Sequence, residues 1–263
     1  MGRYVEPAST STHTNRHLGG ILTSVCTSFE DLDGHGHGTK IETTIMLPSL
    51  FMTMMNWTNG LEYKLNALKF RHMNGFISIA RDRDTGRIYP DPISGKPRIA
   101  YTPSVYDRAH IIEGLVAGAK ICYVEGATEI HPFIEGVKPF IRDPDQETSA
   151  STAGNEPDLG VSDPRFRAWL EELKRIGNKP PAGSFPSAHQ MGSNRMSATS
   201  KDGVVDVKGR VWGTENLYVS DASVFPSASG VNPMVTNMAI SDWISNNIAK
   251  EMRGVGSTVE ARL

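Results

Sequence analysis

The sequence has few of the features that mark secreted, membrane-spanning or nucleic-acid-binding proteins. Only two cysteines, Cys26 and Cys122, occur in 263 residues. This number excludes a disulfide framework and favours a reducing, intracellular compartment. No apolar run reaches the ~20 residues that a membrane-spanning helix needs. The net charge of −2 creates no basic field, so we expect no nucleic-acid partner.

Two common cofactor motifs are also missing. No G-x-G-x-x-G follows a strand, which excludes a dinucleotide-binding turn, and GHGHG at 34–38 has the wrong spacing. Histidines 13, 17, 35 and 37 invite a zinc interpretation, but no cysteine pair or HExxH motif accompanies them. We therefore predict no metal site.

The first half of the chain alternates strand and helix signals. ILTSVCTSF and GTKIETTIML predict strands joined by the turn EDLDGHGHG. Residues 50–73 carry Leu61, Leu65 and Leu68 at helical spacing and predict a helix that ends at Gly75. FISIARD predicts a strand, and DTGRIYPDPISGKPRIAY predicts a hairpin.

Helix signals dominate the second half. Asp107 predicts the N-cap of a helix that runs to about Val124, and Asp163-Pro164 predicts the start of another that stops at Gly177. Between them, residues 142–161 are polar and predict a mobile surface loop. A last helix is expected from Pro233 to about Met252. The order lacks regular βαβ alternation, which predicts an α+β fold with an antiparallel sheet.

The most informative stretch runs from Ser187 to Ala239. His189 lies in a segment that contains glycine, and Asn232 follows 43 positions later in a Gly-x-Asn-Pro turn that opens the last helix. Between them, a short predicted strand at 217–219 leads to Asp221-Ala222.

HQMGSNRMS and DASVFPSASGVNPM resemble the C-terminal signature of the glucose–methanol–choline (GMC) flavin oxidoreductases. Their particular residues are similar to those of the long-chain fatty alcohol oxidase branch of this family. The resemblance implies FAD as cofactor. It also implies an antiparallel-sheet substrate domain, followed by the C-terminal strand and helix of an FAD-binding domain whose Rossmann-like half is missing from this sequence.

The resemblance assigns roles to six residues. His189 and Asn232 match the pair that faces the flavin ring, where a histidine suits proton removal and an amide can orient the hydroxyl. Asp221 and Ala222 match a segment beside the ribityl and diphosphate groups. Pro233 and Met234 begin a helix whose positive end would face the flavin. Taken alone, Asn232 could be an N-cap, Asp221-Ala222 a strand-ending turn, and His189 a structural histidine.

We therefore expect residues 1–16 to be an irregular lead-in, 17–183 a substrate-binding domain, 184–252 the signature region and 253–263 a tail. The expected reaction is oxidation of a long-chain primary alcohol to an aldehyde, with oxygen as acceptor. The alternative is a lipid-binding module or inactive remnant, or a chain that pairs with a separately encoded flavin half.

Two segments of the sequence concern where in the cell the protein is found. The stretch from Ile45 to Trp57 is rich in Met and Phe and is most often core, but it could also line an acyl channel or contact a membrane peripherally. The C-terminal Ala261-Arg262-Leu263 resembles a peroxisomal address.

Overall fold

The computed structural model describes residues 2–3, 24–44, 46–143 and 162–260, in which helices and strands follow one another in mixed order. Within these ranges there are five α-helices: α1 (Pro48–Met54), α2 (Gly60–Lys69), α3 (Val105–Val124), α4 (Pro164–Ile176) and α5 (Met234–Glu260). The same ranges contain eight short strands: β1 (Gly2–Arg3), β2 (Val25–Cys26), β3 (Thr39–Thr43), β4 (Phe76–Ala80), β5 (Arg87–Pro90), β6 (Pro97–Ala100), β7 (Glu129–Ile130) and β8 (Phe140–Ile141). Every pairing between these strands is antiparallel, which confirms the predicted α+β class.

The chain divides into two compact units. The first comprises Met1–Asp84 and Thr102–Phe185, and the second comprises Thr85–Tyr101 and Pro186–Leu263. The domain bounds expected from the sequence stay a prediction. The lead-in after residue 3, the polar loop from 144 to 161 and the final tripeptide lie outside the described residues.

The first unit places α3 against a three-stranded sheet of order β2-β3-β4. Strands β3 and β4 pair from Thr39↔Ala80 to Thr43↔Phe76. A Cβ atom at Gly114 of α3 would lie 2.4 Å from Ser78 Oγ of β4. Glycine is therefore required where the helix crosses closest to the sheet.

The start of α3 differs from the prediction by three residues. Ser104 is the N-cap, and its hydroxyl accepts from the Asp107 N–H at 3.0 Å. Asp107 is fully buried in the first turn, where its carboxylate accepts from Ser104 Oγ at 2.8 Å and from the Arg83 N–H at 3.2 Å. The assignment of the cap to Asp107 was wrong. Ser104 precedes the helix and caps it, whereas Asp107 lies inside the first turn and accepts a hydrogen bond from the Ser104 hydroxyl, in an arrangement similar to a capping box.

The continuous helix predicted over residues 50–73 is two helices, α1 and α2, followed by a 3₁₀ turn at Phe70–His72. The break falls before Asn59, whose side chain accepts from the N–H groups of Leu61 and Glu62, both at 3.0 Å, and so starts a new helix. Gly75 is not a helix cap. It leads into β4, where a Cβ atom would lie 2.5 Å from Thr44 Cγ2.

Helix α4 begins and ends where the sequence predicted. Asp163 is its N-cap and accepts from the Arg165 N–H at 2.9 Å and the Phe166 N–H at 3.1 Å. Pro164 occupies the first turn, and Gly177 ends the helix with φ +67°. The buried face of α4 packs with α3 and β8 in an aromatic core, in which the rings of Tyr123 and Phe166 stack at 4.2 Å.

In the second unit, β5 and β6 form the predicted hairpin. Ile88 pairs with Ile99, Pro90 pairs with Pro97, and both strands are exposed along their length. Ile88 and Ile99 expose 54% and 62% of their surface.

The remainder of the second unit is mostly irregular before α5. The strand predicted at 217–219 is absent: Tyr218 makes only an isolated bridge with Arg210. Asn216 just before it has φ +58°, and Asp221 just after it caps a 3₁₀ turn, so turns at both ends limit pairing to one position. The core beneath α5 contains the buried side chains of Val205, Val224, Phe225 and Ile244.

Among the helices of the described ranges, none is both long and apolar enough to cross a membrane.

Candidate functional site

A short ladder of backbone hydrogen bonds joins the two halves of the signature. The N–H groups of Gly192, Asn194 and Met196 donate to the carbonyls of Ala222, Ser223 and Val224, at 3.2, 2.8 and 2.8 Å. The segment that carries His189 is thereby fastened to the segment that carries Asp221 and Ala222. Side chains add to the ladder, because Asn194 Nδ2 donates to Ser223 Oγ at 3.0 Å.

Gly192 makes this approach possible. Its φ is +80°, and a Cβ atom there would lie 3.2 Å from the Phe225 carbonyl oxygen. A side chain at this position would be strained both by the backbone conformation and by the contact.

His189 lies three residues before the ladder and is half-buried. The segment around it is irregular and is shaped by Gln190, whose Nε2 donates to Ser187 Oγ at 3.2 Å and to the Ser187 carbonyl at 3.4 Å. A half-buried imidazole on an irregular segment is accessible to a ligand.

Asp221 is exposed, and its carboxylate accepts from the Ser223 N–H at 2.8 Å as the N-cap of the turn Ala222–Val224. Ala222 contributes its carbonyl to the ladder. The geometry gives Asp221 a structural task, the capping of this turn, and the backbone around Ala222 is correspondingly fixed.

The last helix begins one residue later than predicted. Pro233 precedes Met234, the first residue of α5, and its carbonyl accepts the first bond from the Asn237 N–H at 2.7 Å. Pro233 therefore stands at the N-cap position that the alternative interpretation gave to Asn232. Asn232 is exposed, and Met234 exposes 70% of its surface.

Two residues that the sequence analysis missed belong to this region. Ser241 Oγ of α5 donates to the Ser220 carbonyl at 2.6 Å and so ties the helix to the residue before Asp221. Asn237, in the first turn of α5, has a buried Oδ1 atom with no hydrogen-bond partner among the described residues. In the sequence, both residues could have been found as polar residues on the partly buried side of the last helix.

An ion cluster fastens the later part of α5 to residues 208–218. The Glu251 carboxylate accepts from Tyr218 Oη at 2.7 Å, Arg210 Nη2 at 2.6 Å and Lys208 Nζ at 3.3 Å. Donation from Tyr218, followed by Arg210, lowers the pKa of Glu251 from 4.5 to about 2. The Glu251 carboxylate therefore stays charged throughout the physiological range.

Of the four histidines near the N-terminus, His35 and His37 lie within the described residues, and His13 and His17 lie outside them. The N–H groups of His35 and His37 both donate to Asp33 Oδ1, at 2.9 and 3.0 Å, which makes this a hydrogen-bonded loop. In the part of the chain that the structure describes, no group of three or more His, Cys, Asp or Glu side chains could hold a metal ion.

Comparison with known proteins gives a family model described as GMC oxidoreductase, which matches residues 74–241. Two relatives from Arabidopsis thaliana are the long-chain-alcohol oxidases FAO3 and FAO1. They are 32% and 29% identical to this chain over 94% and 90% of its length. The chain spans only 31% and 29% of these relatives.

A cholesterol oxidase of Acinetobacter baumannii is 32% identical over 32% of this chain and 16% of its own length. Among solved structures, a formate oxidase of Aspergillus oryzae matches with a TM-score of 0.44 and 17% identity, over 86% of this chain and 33% of that one.

Proposed function

Because the chain belongs to the GMC oxidoreductase family, whose members depend on FAD, we propose that it is the C-terminal part of an alcohol oxidoreductase acting on long-chain primary alcohols. The product is an aldehyde, and oxygen is the electron acceptor. The observation that carries the proposal is the ladder from Gly192 to Met196, which holds the His189 segment against Ala222–Val224. The two long-chain-alcohol oxidases support the substrate class.

The residues at the start of α5 fit a flavin. The first N–H groups of a helix have no partners inside the helix, and this end of the helix carries partial positive charge, so it favours an electron-rich ring edge. Asn237 contributes a buried acceptor, Oδ1, which has no partner in the part of the chain that the structure describes and would receive a ring N–H. FAD, when bound, would accept the hydride from the alcohol carbon.

In this proposal His189 and Asn232 divide the work on the alcohol. The His189 imidazole takes the hydroxyl proton as general base. The Asn232 amide N–H donates to the oxygen of the same hydroxyl and orients it without competing for its proton. Asp221 keeps the backbone of Ala222 in place for contact with the ribityl and diphosphate groups, with its own carboxylate turned to the Ser223 N–H.

The two alcohol oxidases are much longer than this chain, so we propose that the chain needs a further portion to complete the flavin site. The chain spans about 30% of the two alcohol oxidases, so the remaining parts of a flavin site would come from residues outside this sequence. The proposed partner is therefore the other flavin-binding portion, either covalently continuous or separately encoded. Peroxisomal delivery through Ala261-Arg262-Leu263 remains part of the same proposal.

The first experiment is the visible spectrum of the purified chain after incubation with FAD and desalting, followed by anaerobic addition of a long-chain alcohol. We expect His189→Ala to retain the flavin and to lose about 10²- to 10⁴-fold in the rate of flavin reduction. The same measurement on the chain combined with the flavin-binding portion of an alcohol-oxidase relative covers the case in which both are needed. His35→Ala is the matched control and should reduce flavin at the wild-type rate.

A wild-type rate of reduction in His189→Ala would refute its role as base. If the folded chain retains no flavin even when combined with that portion, the alternative function gains support: a lipid-binding module or an inactive remnant.

A further inference from the structure

The sequence contains the dipeptide Asn-Gly twice, and the structure gives the two copies different surroundings. Asn59-Gly60 starts α2, and Asn74-Gly75 leads into β4. In such a dipeptide the backbone nitrogen of the glycine can attack the side-chain amide of the asparagine, because glycine has no Cβ atom to block the approach. The two reacting groups belong to neighbouring residues, so no second molecule has to be brought to the site. The surroundings therefore decide which asparagine reacts.

Asn59-Gly60 is open to solvent and its amide is polarised. Both residues are exposed, and a Cβ atom at Gly60 would meet nothing within 4 Å. The Asn59 Oδ1 atom accepts from the N–H groups of Leu61 and Glu62, both at 3.0 Å. Two N–H donors stabilise the negative charge that a carbonyl oxygen gains when a nucleophile attacks its carbon. The cap of α2 thus activates the Asn59 amide toward the adjacent Gly60 nitrogen.

Asn74-Gly75 lacks both properties. Gly75 is buried, and a Cβ atom there would lie 2.5 Å from Thr44 Cγ2 and 2.6 Å from Phe51 Cε2. Its carbonyl accepts from the Thr44 N–H at 2.8 Å, which fixes the peptide in place. The Gly75 N–H donates to Asn74 Oδ1 at 3.1 Å, so the proton that the attacking nitrogen must lose is held in a hydrogen bond. The backbone here has little freedom to close a ring.

We propose that Asn59 is a site of spontaneous deamidation, a covalent modification that changes the start of α2. The Gly60 nitrogen bonds to Asn59 Cγ while the bond from Cγ to Nδ2 breaks. Water carries the proton from the Gly60 nitrogen to Nδ2, which leaves as ammonia, and a cyclic succinimide remains. A water molecule then opens the ring. Its attack at Cγ gives aspartate, and its attack at the main-chain carbonyl carbon gives isoaspartate, in which the backbone runs through the former side chain.

The two products affect α2 in opposite directions. Each adds one negative charge to a chain whose net charge is −2. Aspartate keeps the capping acceptor and places its charge at the positive end of the helix, which stabilises the helix. Isoaspartate lengthens the backbone by a methylene group and removes the cap. Because α2 has no buried residue, we expect its first turn to unravel in the isoaspartate form while the cores stay folded. The modification requires no flavin and so goes beyond the proposed function.

The test is peptide mapping by mass spectrometry after the purified chain has been incubated at neutral pH, once in buffer and once in urea. In buffer we expect Asn59 to be converted to aspartate and isoaspartate while Asn74 keeps its amide. In urea we expect the two asparagines to react at similar rates, because the surroundings that distinguish them are lost. Asn74 is therefore the matched control within the same chain. Methylation by an isoaspartate methyltransferase measures the isoaspartate product independently.

Two variants separate the effect of the cap from that of exposure. Leu61→Pro removes one of the two N–H donors, and the first turn of a helix tolerates proline. We expect it to slow the loss of the Asn59 amide about tenfold, less than the factor of roughly 10²–10³ for a donor in a water-excluded site. Gly60→Ala keeps both donors but adds a Cβ atom beside the attacking nitrogen, and should also slow the reaction. If exposure alone decided the rate, Leu61→Pro would react like the wild type.

Retention of the Asn59 amide in the folded chain, over a time in which urea allows its loss, would overturn the proposal. So would equal conversion of Asn59 and Asn74 in buffer, or an unchanged or faster reaction in Leu61→Pro. Circular dichroism checks that each variant is folded, and the comparison of the two asparagines in the wild type decides if a variant is not. FAD retention is scored separately, so failure here leaves the proposed function standing, and the reverse also holds.

Discussion

At the scale of single residues, Glu251 shows how charge can hold a helix to an irregular segment. Its carboxylate receives three donors, from Tyr218, Arg210 and Lys208. Because its pKa is lowered from 4.5 to about 2 in the folded chain, its stabilising contribution is complete above about pH 4.5 and is lost as the pH falls toward 2.

We therefore expect Glu251→Gln to be less stable than the wild type at neutral pH, and the difference to shrink between pH 4.5 and 2. Urea unfolding at several pH values measures it. Glu171→Gln is the control, because it removes an exposed glutamate with one lysine contact, at 3.5 Å, and its difference from the wild type should change much less. A Glu251→Gln difference that is constant with pH would contradict this account.

Gly192 provides a second prediction at this scale. Gly192→Ala should destabilise the chain by more than Gly213→Ala, as measured by urea unfolding. Both residues have positive φ, +80° and +74°, and share a conformational cost of about 1–2 kcal/mol for a side chain. Only Gly192 also has a backbone oxygen, that of Phe225, within 3.2 Å of the added Cβ, whereas Gly213 has nothing within 4 Å. Equal losses would show that the ladder adapts to a methyl group.

The site was only partly predictable from its residues. The spacing of His189, Asp221 and Asn232 marks three segments, but spacing contains no information about which backbone groups will meet. The ladder from Gly192 to Met196 pairs positions about thirty residues apart, and such contacts depend on tertiary packing. Ser241 was missed for the same reason, since its partner, the Ser220 carbonyl, lies 21 positions away in the sequence. The roles of His189 and Asn232 stay a prediction.

At the scale of elements, α4 is determined by local signals. Asp163 satisfies two N–H groups at its start and also accepts from Tyr123 Oη at 3.2 Å. Asp163→Ala should therefore cost about 1–3 kcal/mol in the free energy of unfolding. Asp163→Asn keeps the capping geometry and should lose much less. Urea unfolding of the two variants decides the matter, and a loss of equal size in both would show that the charge, and not the cap, is what counts.

Elements whose two ends are marked by local residues were predicted with their ends. The strands that need distant partners, β3 and β4, were predicted at the right place, but the residues that pair were not. Asp163-Pro164 and Gly177 mark both ends of α4, and the turn residues of the β5–β6 hairpin mark its centre. By contrast, the spacing of Leu61, Leu65 and Leu68 predicts a helix but cannot tell which side is covered. The strand predicted at 217–219 is reduced to a single bridge between Tyr218 and Arg210, flanked by hydrogen bonds from the Val211 N–H to the Leu217 carbonyl and from the Val219 N–H to the Gly209 carbonyl.

At the scale of the whole molecule, the two compact units have separate cores. Phe166 is fully buried in the first unit, where it stacks on Tyr123 and packs edge-on against Phe140. The core of the second unit is built from Val205, Val224, Phe225 and Ile244, and the two clusters share no residue.

Phe166→Ala should therefore cost about 3–5 kcal/mol and act mainly on its own unit. Hydrogen exchange followed by mass spectrometry should show faster exchange in α3 and α4, with the amides of Gly192, Asn194 and Met196 little changed. Ile244→Ala is the reciprocal variant and should expose the ladder amides first. Uniform acceleration across both units in either variant would mean that the chain unfolds as one cooperative block.

The ladder between residues 192–196 and 222–224 has a consequence for evolution. It closes the intervening chain into a loop, so the distance between its two sides is set by the three hydrogen bonds and not by how many residues lie between them. Insertions and deletions in the exposed turns at 199–202 and 212–216 should accordingly be tolerated. Length variation among homologues is expected to collect in these turns, while the residues of the ladder keep their mutual register.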